Sequence, residues 1–126
     1  MPTFKFIEGV SVAGELIIAE KEYTSGARIA IDETIAVANN VAVSLAVDVS
    51  QIVGVYILSD QDLLLETNNS GTPDDTLSLK AGVPYIWNAD KPDALAFGTD
   101  ITALFATNAS SAAARLQIEI LKDPTV

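Results

Sequence analysis

The chain has 126 residues, 49% of them apolar, and 17 acidic residues against 7 basic ones give a formal charge of −10. Cysteine and histidine are both absent, which excludes disulfide staples, Cys/His zinc sites, thiol nucleophiles, haem attachment and any Ser-His-Asp triad. The length supports one domain with one core, residues 1–126, ending in a short tail at 124–126.

At the N-terminus, Met1–Glu8 has no long apolar stretch of the kind a secretory signal carries. No run approaches the ~20 apolar residues of a membrane helix. Thr3–Glu8 reads as a strand in which Phe4 and Phe6 alternate with Lys5, although Ile7 breaks the phase. Glu15–Tyr23 and Ala27–Glu33 flank a predicted Thr24-Ser25-Gly26 turn, with Ile29 and Ile31 facing inward opposite Arg28 and Asp32.

The strongest pattern lies between Thr34 and Ser50. Odd positions carry Ile35, Val37, Asn39, Val41, Val43, Leu45, Val47 and Val49; even positions are small or polar. That is period two, so the segment reads as strand. Asn39-Asn40 is either a tight turn between two strands or a wet spot on one long edge strand. Strands follow at Gln51–Ser59, Asp62–Thr67, Thr76–Lys80, Val83–Asn88, Ile101–Thr107 and Ala113–Leu121. Asn68–Asp75 and Asn88–Asp100 are loops by composition. The best helical candidate, Ser110–Arg115, is too short to build a core face, and Lys122–Val126 reads as a tail. Eight to ten short strands at roughly 8–12-residue spacing predict an all-β fold, an antiparallel sandwich or barrel.

Carboxylates are the only plentiful reactive groups. Asp60 with Asp62, Asp74 with Asp75, and Asp90 with Asp93 have the residue type for acid–base pairs or Ca²⁺ ligands. Asp60-Gln61-Asp62 lacks the Gly and Glu of an EF-hand loop, however, and close pairs in turns ordinarily face water, which is the expectation here. Tyr85 and Trp87, two apart, share one strand face and offer a stacking platform for sugar; the favoured reading is that both cap the core, the indole N–H bonded to a loop carbonyl. Asn68-Asn69-Ser70 and Asn108-Ala109-Ser110 fit the glycosylation sequon but read as turn chemistry. Gly71–Asp75 lacks the lysine of a phosphate loop, and the basic residues are too dispersed for a nucleic-acid stripe. No catalytic, cofactor-binding or metal residue is predicted, and no enzyme activity. Ala36, Ala38, Ala42 and Ala46 beside the branched row suggest a sheet that can be covered on both faces, one subunit packing on another; the alternative is a monomer with a smooth, weakly polar sheet face.

Several phrases carry a family resemblance: Val47–Ser50, Val55–Asp60, Leu65–Asn68, Thr76–Trp87, Thr99–Ser110 and Leu116–Leu121. Together, over about residues 45–123, the chain resembles the small all-β virion structural proteins of tailed bacteriophages that decorate or cement the head. The resemblance implies a jelly-roll-like sandwich on the capsid exterior, with the major capsid protein as partner and a homo-oligomer, a trimer favoured. It implies no active site, cofactor or small-molecule substrate. The charge agrees with that, since a −10 surface is repelled by nucleic acid and anionic membrane and drawn to basic surfaces. A tail or fibre component, and a carbohydrate-binding module using Tyr85 and Trp87, are the alternatives.

Overall fold

The computed structural model describes residues 3–24 and 27–123; the expected turn at Ser25-Gly26 and the tail at 124–126 lie outside the described residues. Ten strands are present among them: β1 (Thr3–Val12), β2 (Glu15–Thr24), β3 (Ala27–Ile35), β4 (Ala38–Val43), β5 (Ile52–Ser59), β6 (Leu63–Thr67), β7 (Thr76–Leu79), β8 (Tyr85–Asn88), β9 (Leu104–Asn108) and β10 (Ala114–Lys122). All pairings are antiparallel. β1 and β2 form a two-stranded hairpin; the others form two four-stranded sheets, β3-β10-β5-β8 and β4-β9-β6-β7.

The pairings nest. β3 lies against β10, β4 against β9, β5 against β8 and β6 against β7, as if one long hairpin had been wrapped round a core. β10–β5 and β9–β6 then close each sheet. This is the connectivity of a jelly roll, and it bears out the all-β sandwich read from the sequence. The two sheets share one core, in which Ile35, Val55, Ile57, Leu116, Ile118 and Ile120 of the first meet Val43, Leu63, Leu65, Leu79, Leu104 and Ala106 of the second. Period-two rows make this possible, because each strand offers the core one branched face.

The long alternating segment is divided between the sheets. Ile35 ends β3 at full burial, Ala36 and Val37 cross over, and β4 begins at Ala38 in the opposite sheet. Val37 is the member of the branched row that this bend leaves exposed. Asn39-Asn40 is neither a turn between strands nor part of one long strand. It is a bulge on edge strand β4, where the register with β9 shifts between Ala38 and Val41 and Asn40 takes φ +55°. The Asn40 N–H donates to Thr107 Oγ1 at 3.1 Å, which holds the bulge to its neighbour. Leu45 and Val47 continue the buried row after β4 ends, and Val47 bridges Ile101.

Glu15–Tyr23 and Ala27–Glu33 do not pair with each other. The first belongs to the hairpin and the second lies on β10, while Ile29 and Ile31 do pack against the core as expected. The C-terminal stretch is also more ordered than a tail. Lys122 closes β10, and the Asp123 N–H donates to the Gln51 carbonyl at 2.8 Å. Ser110–Arg115 forms no helix; the short helical piece is a 3₁₀ turn at Val49–Gln51, capped by Asp48, whose carboxylate accepts from the Ser50 N–H.

Each end of the sandwich is sealed by side chains bonding to backbone. At one end lie the crossings 36–37, 60–62, 80–84 and 109–113. Asn108, 1% exposed, donates from Nδ2 to the Ile35 and Ala112 carbonyls and accepts at Oδ1 from the Ser110 N–H and Oγ–H. At the other end the loops 44–51, 68–75 and 89–103 meet. Asn68, at φ +68°, ties the last two: Nδ2 donates to the Asp74 carboxylate and the Asp100 carbonyl, and Oδ1 accepts from the Thr102 N–H at 2.7 Å; the Asp100 carboxylate reaches the first by accepting from the Val49 N–H. Phe97 drops from the 89–103 loop into the core, so this loop is a lid on the sandwich as well as a connection. Among the described residues no buried side-chain nitrogen or oxygen lacks a partner, as a well-formed interior requires.

Candidate functional site

Three features invited a functional reading in the sequence: the aromatic pair, the loop carboxylates and the alanine-flanked row. A fourth, the hairpin, emerges only from the fold.

Tyr85 and Trp87 are opposite Ile57 and Val55 on the inner face of β8, half-buried and packed against the core. Both polar tips are engaged by the loop above them. Trp87 Nε1 donates to the Asp93 carbonyl at 2.8 Å, and the Tyr85 hydroxyl accepts from the Ala96 N–H at 2.9 Å. The rings therefore act as the core cap that the sequence favoured, with their faces turned inward.

The carboxylates differ from expectation. Asp60 accepts from the Arg115 N–H at 2.8 Å, Asp62 from the Ala81 N–H at 2.9 Å, Asp100 from the Val49 N–H at 3.0 Å, and Asp75 from the Gly98 and Thr99 N–H groups. Rather than facing only water, they satisfy backbone donors on other segments, because crossings between sheets leave N–H groups with no ladder partner. Asp48 is held below the usual carboxylate range by the Ser50 hydroxyl and N–H. Among the described residues no group of three or more acidic side chains is placed to hold a metal ion. Charge is nonetheless uneven. The three loops at the Asn68 end carry Asp48, Asp74, Asp75, Asp90, Asp93 and Asp100 against the single Lys91.

Ala36, Ala38, Ala42 and Ala46 are all exposed, along edge strand β4 and its flanking bends. On the other sheet, part of the outer face of β3 and β10 is polar and cross-braced. Arg28 bonds the Glu119 carboxylate from Nε at 2.7 Å and from Nη2 at 2.6 Å, and Arg115 bonds Asp32 in the same two-pronged way at 3.0 and 2.7 Å. Each pair is diagonal across the β3–β10 ladder, since Arg28 stands opposite Leu121 and Asp32 opposite Gln117. The hydrogen bonds from Arg115 hold Asp32 below the ordinary carboxylate value.

The hairpin is the least conventional part of the molecule. Its turn, Ala13-Gly14, has φ +53° and +85°, both in the left-handed region, so it is a two-residue type I′ connection whose twist matches the strands. The sequence signal for it is faint, because Ala stands where Asn or Gly is customary. Each strand runs ten residues, yet the hairpin touches the sandwich only near its base. Lys5, Phe6 and Ile7 line a cleft of about 290 Å³ with Gly54, Tyr56, Ile86, Glu119 and Leu121 on the outer face of the first sheet. Phe6 fits there because Gly54 has no side chain; a Cβ at that position would overlap Cζ of the ring and stand 2.7 Å from Cε2. Leu121 points away from the core and is still only 1% exposed, consistent with a covered outer face at this point.

Beyond that seat, every position described between Gly9 and Glu20 is exposed. Ile7, Val10, Leu16, Ile17 and Ile18 are 48–66% exposed. Register sorts them onto both faces: Val10 pairs with Ile17 on one, while Ile7, Leu16 and Ile18 stand on the other. A lone two-stranded ribbon is marginal in water, and large apolar groups on both of its faces mark a surface for another molecule. The arm also leaves the sandwich at the acidic end, where Ala27 and Ile52 both pair with Lys122.

Comparison of the chain with family models, curated proteins and solved structures gave no match in any of the three.

Proposed function

We propose that this protein is a non-enzymatic virion structural protein that binds the outside of a phage capsid shell, with the major capsid protein as its partner, and stabilises the shell. The observation that carries the reading is the concentration of six aspartates against one lysine on three cross-bonded loops at one end of the sandwich, beside the root of an apolar arm. A rigid acidic end suits a basic protein surface and is repelled by packaged nucleic acid. The apolar arm supplies a second contact that salt does not screen.

Such a protein works by binding energy alone. Anything that binds the assembled lattice and not its dissociated subunits shifts the equilibrium toward assembly by mass action. A jelly roll with its loops bonded to one another brings that surface preformed, so little ordering is lost on docking.

The test is co-sedimentation of the purified protein with capsid shells stripped of decoration. Saturable pelleting at a simple ratio to the shell subunit is expected, weakening toward ~1 M salt, where the Debye length falls to ~3 Å. Protein that stays in the supernatant beside intact shells refutes the head reading and moves the assignment to a tail or fibre component. The carbohydrate reading draws less support, because Tyr85 and Trp87 pack against the core.

A further inference from the structure

Neither strand of the arm joins a sheet of the sandwich, so each keeps one outer edge whose N–H and C=O groups have no ladder partner. The two-residue turn decides which residues present them. Val12 and Glu15 flank it and exchange hydrogen bonds with each other. Alternation along an antiparallel ladder then puts the outward groups of β2 at Leu16, Ile18, Glu20 and Glu22. We infer that this edge of β2 receives an extended segment of the major capsid protein, added to the arm as a third, antiparallel strand. The partner's identity rests on the shell reading; the edge and its pairing pattern rest on the arm alone.

β2 is the open side of the arm. Lys5, Phe6 and Ile7 of β1 line the cleft against the sandwich, and no residue of β2 does. The edge also lacks most of the features that discourage strand addition. Residues 15–24 contain no proline, their register with β1 is unbroken and so free of bulges, and every position from Glu15 to Glu20 is exposed. Its charges are confined to Glu15 at the turn and to residues 20–22 near the base.

The side chains along this edge specify what pairs with it. Neighbouring strands meet side chain to side chain at each rung. A strand antiparallel to β2 therefore carries basic residues opposite Glu22 and Glu20, then branched apolar residues opposite Ile18, Ile17 and Leu16. Within the arm, Lys5 stands opposite Glu22 and reaches Glu20 at 3.8 Å, one cation between two carboxylates. Ile17 lies on one face of the ribbon and Leu16 and Ile18 on the other. An added strand has side chains on both faces and meets all three, whereas a flat partner touches one face only. It also converts a ribbon that is marginal in water into a three-stranded sheet. A second copy of the chain suits the edge less well. Antiparallel self-pairing centred on Ile18 sets Leu16 against Glu20 of the second copy and brings together two bodies of charge −10.

Co-sedimentation with stripped shells tests this through Ile18→Pro and Ile18→Ala. Both trim the side chain, but only proline removes the outward N–H, and it leaves the bonds to β1 in place. Melting temperatures that match the native value, and protected Ile17 and Ala19 amides in the free variants, establish that sandwich and hairpin are intact. Ile18→Pro should raise the apparent Kd about tenfold or more over Ile18→Ala, the effect of leaving an interface acceptor unpaired. Hydrogen exchange, quenched and read on native protein released from the shells, should slow at the Leu16, Ile18 and Glu20 amides. Equal pelleting of the two variants, or outward amides that exchange as fast on the shell as off it, overturns the inference and leaves the shell reading standing. Native protein that does not pellet removes both. Self-association of the free native protein that Ile18→Pro abolishes makes a second copy the occupant and overturns the inference as well.

Discussion

Gly54 and Phe6 form a lock that can be tested by a double-mutant cycle. The perturbation is one methyl group. In Gly54→Ala the new Cβ would overlap Phe6 Cζ and stand 2.7 Å from Cε2, a separation at which one of the two must move. Gly54 lies in the middle of the sheet, paired with Leu121 and Asn88, so the ring at the edge of the cleft yields first. Fully burying a phenylalanine is worth about 1.5–3 kcal/mol, and Phe6 is half-buried, so its eviction costs roughly 1–1.5 kcal/mol before Leu121 is uncovered. Against that, replacing a strand glycine by alanine gains about 0.5–1 kcal/mol where the methyl fits. Gly54→Ala should therefore be mildly destabilising in the native background and stabilising in Phe6→Ala, a reversal of sign with a coupling of about 1–2 kcal/mol. Urea denaturation of the four proteins measures the coupling. Hydrogen exchange along the β1–β2 ladder reports whether the arm has come loose. If the two changes are additive, or Gly54→Ala stabilises the native background, the ring is not seated against Gly54 and the arm is not anchored as described.

Three further outcomes follow from other parts of the structure. Val43 is 3% exposed between the sheets, so Val43→Asp must protonate to fold. Holding its pKa from about 3.9 up to at least 7 costs about 4 kcal/mol at pH 7, and urea melts should recover most of that on lowering the pH to about 4, where the unfolded carboxyl is about half protonated as well. Asn108→Ala removes the side-chain donor to the Ile35 carbonyl and the acceptor for the Ser110 N–H, while the Ala112 carbonyl keeps the Ser110 hydroxyl, and should cost about 2–3 kcal/mol; a change within error would mean the turn re-forms without it. Asp32 and Asp48 are both held below the ordinary carboxylate value, the first by Arg115 and the second by Ser50. A depressed native pKa gives stability that is present above the unfolded value and lost as pH falls through the folded one. Carboxyl NMR should thus show both titrating late on acidification, and Arg115→Gln should return Asp32 alone to the usual range.

The candidate surface was only partly legible in the amino-acid pattern. Phe6 and Ile7 could be seen to share a segment with a broken phase, and that break is meaningful: in an arm with no core face, neither row has to be apolar throughout. The Ala13-Gly14 turn leaves little trace in the sequence because its first residue is not one that turn chemistry favours. The acidic loops read as solvated because sequence spacing says nothing about which backbone donors a fold leaves unpaired. Asp75 bonds Gly98 and Thr99, 23 and 24 residues further on, a juxtaposition made by loops meeting at one end of the sandwich.

What the sequence alone determined was the kind of element and the side of it that is buried. Side-chain alternation is a local property, so Val41–Val43, Val55–Ile57 and Leu116–Ile120 announced strands and their inner faces without reference to anything distant. Partnership was decided elsewhere. β3 pairs with β10, more than 75 residues further along, and residues only three apart in the chain, Ile35 and Ala38, are divided between two sheets. Backbone hydrogen bonds are the same for any pair of strands, so the choice falls to which set of rows closes one core with every buried polar group answered. Only the whole tertiary structure can satisfy that condition, and it does so by leaving residues 3–24 outside the sandwich as an arm.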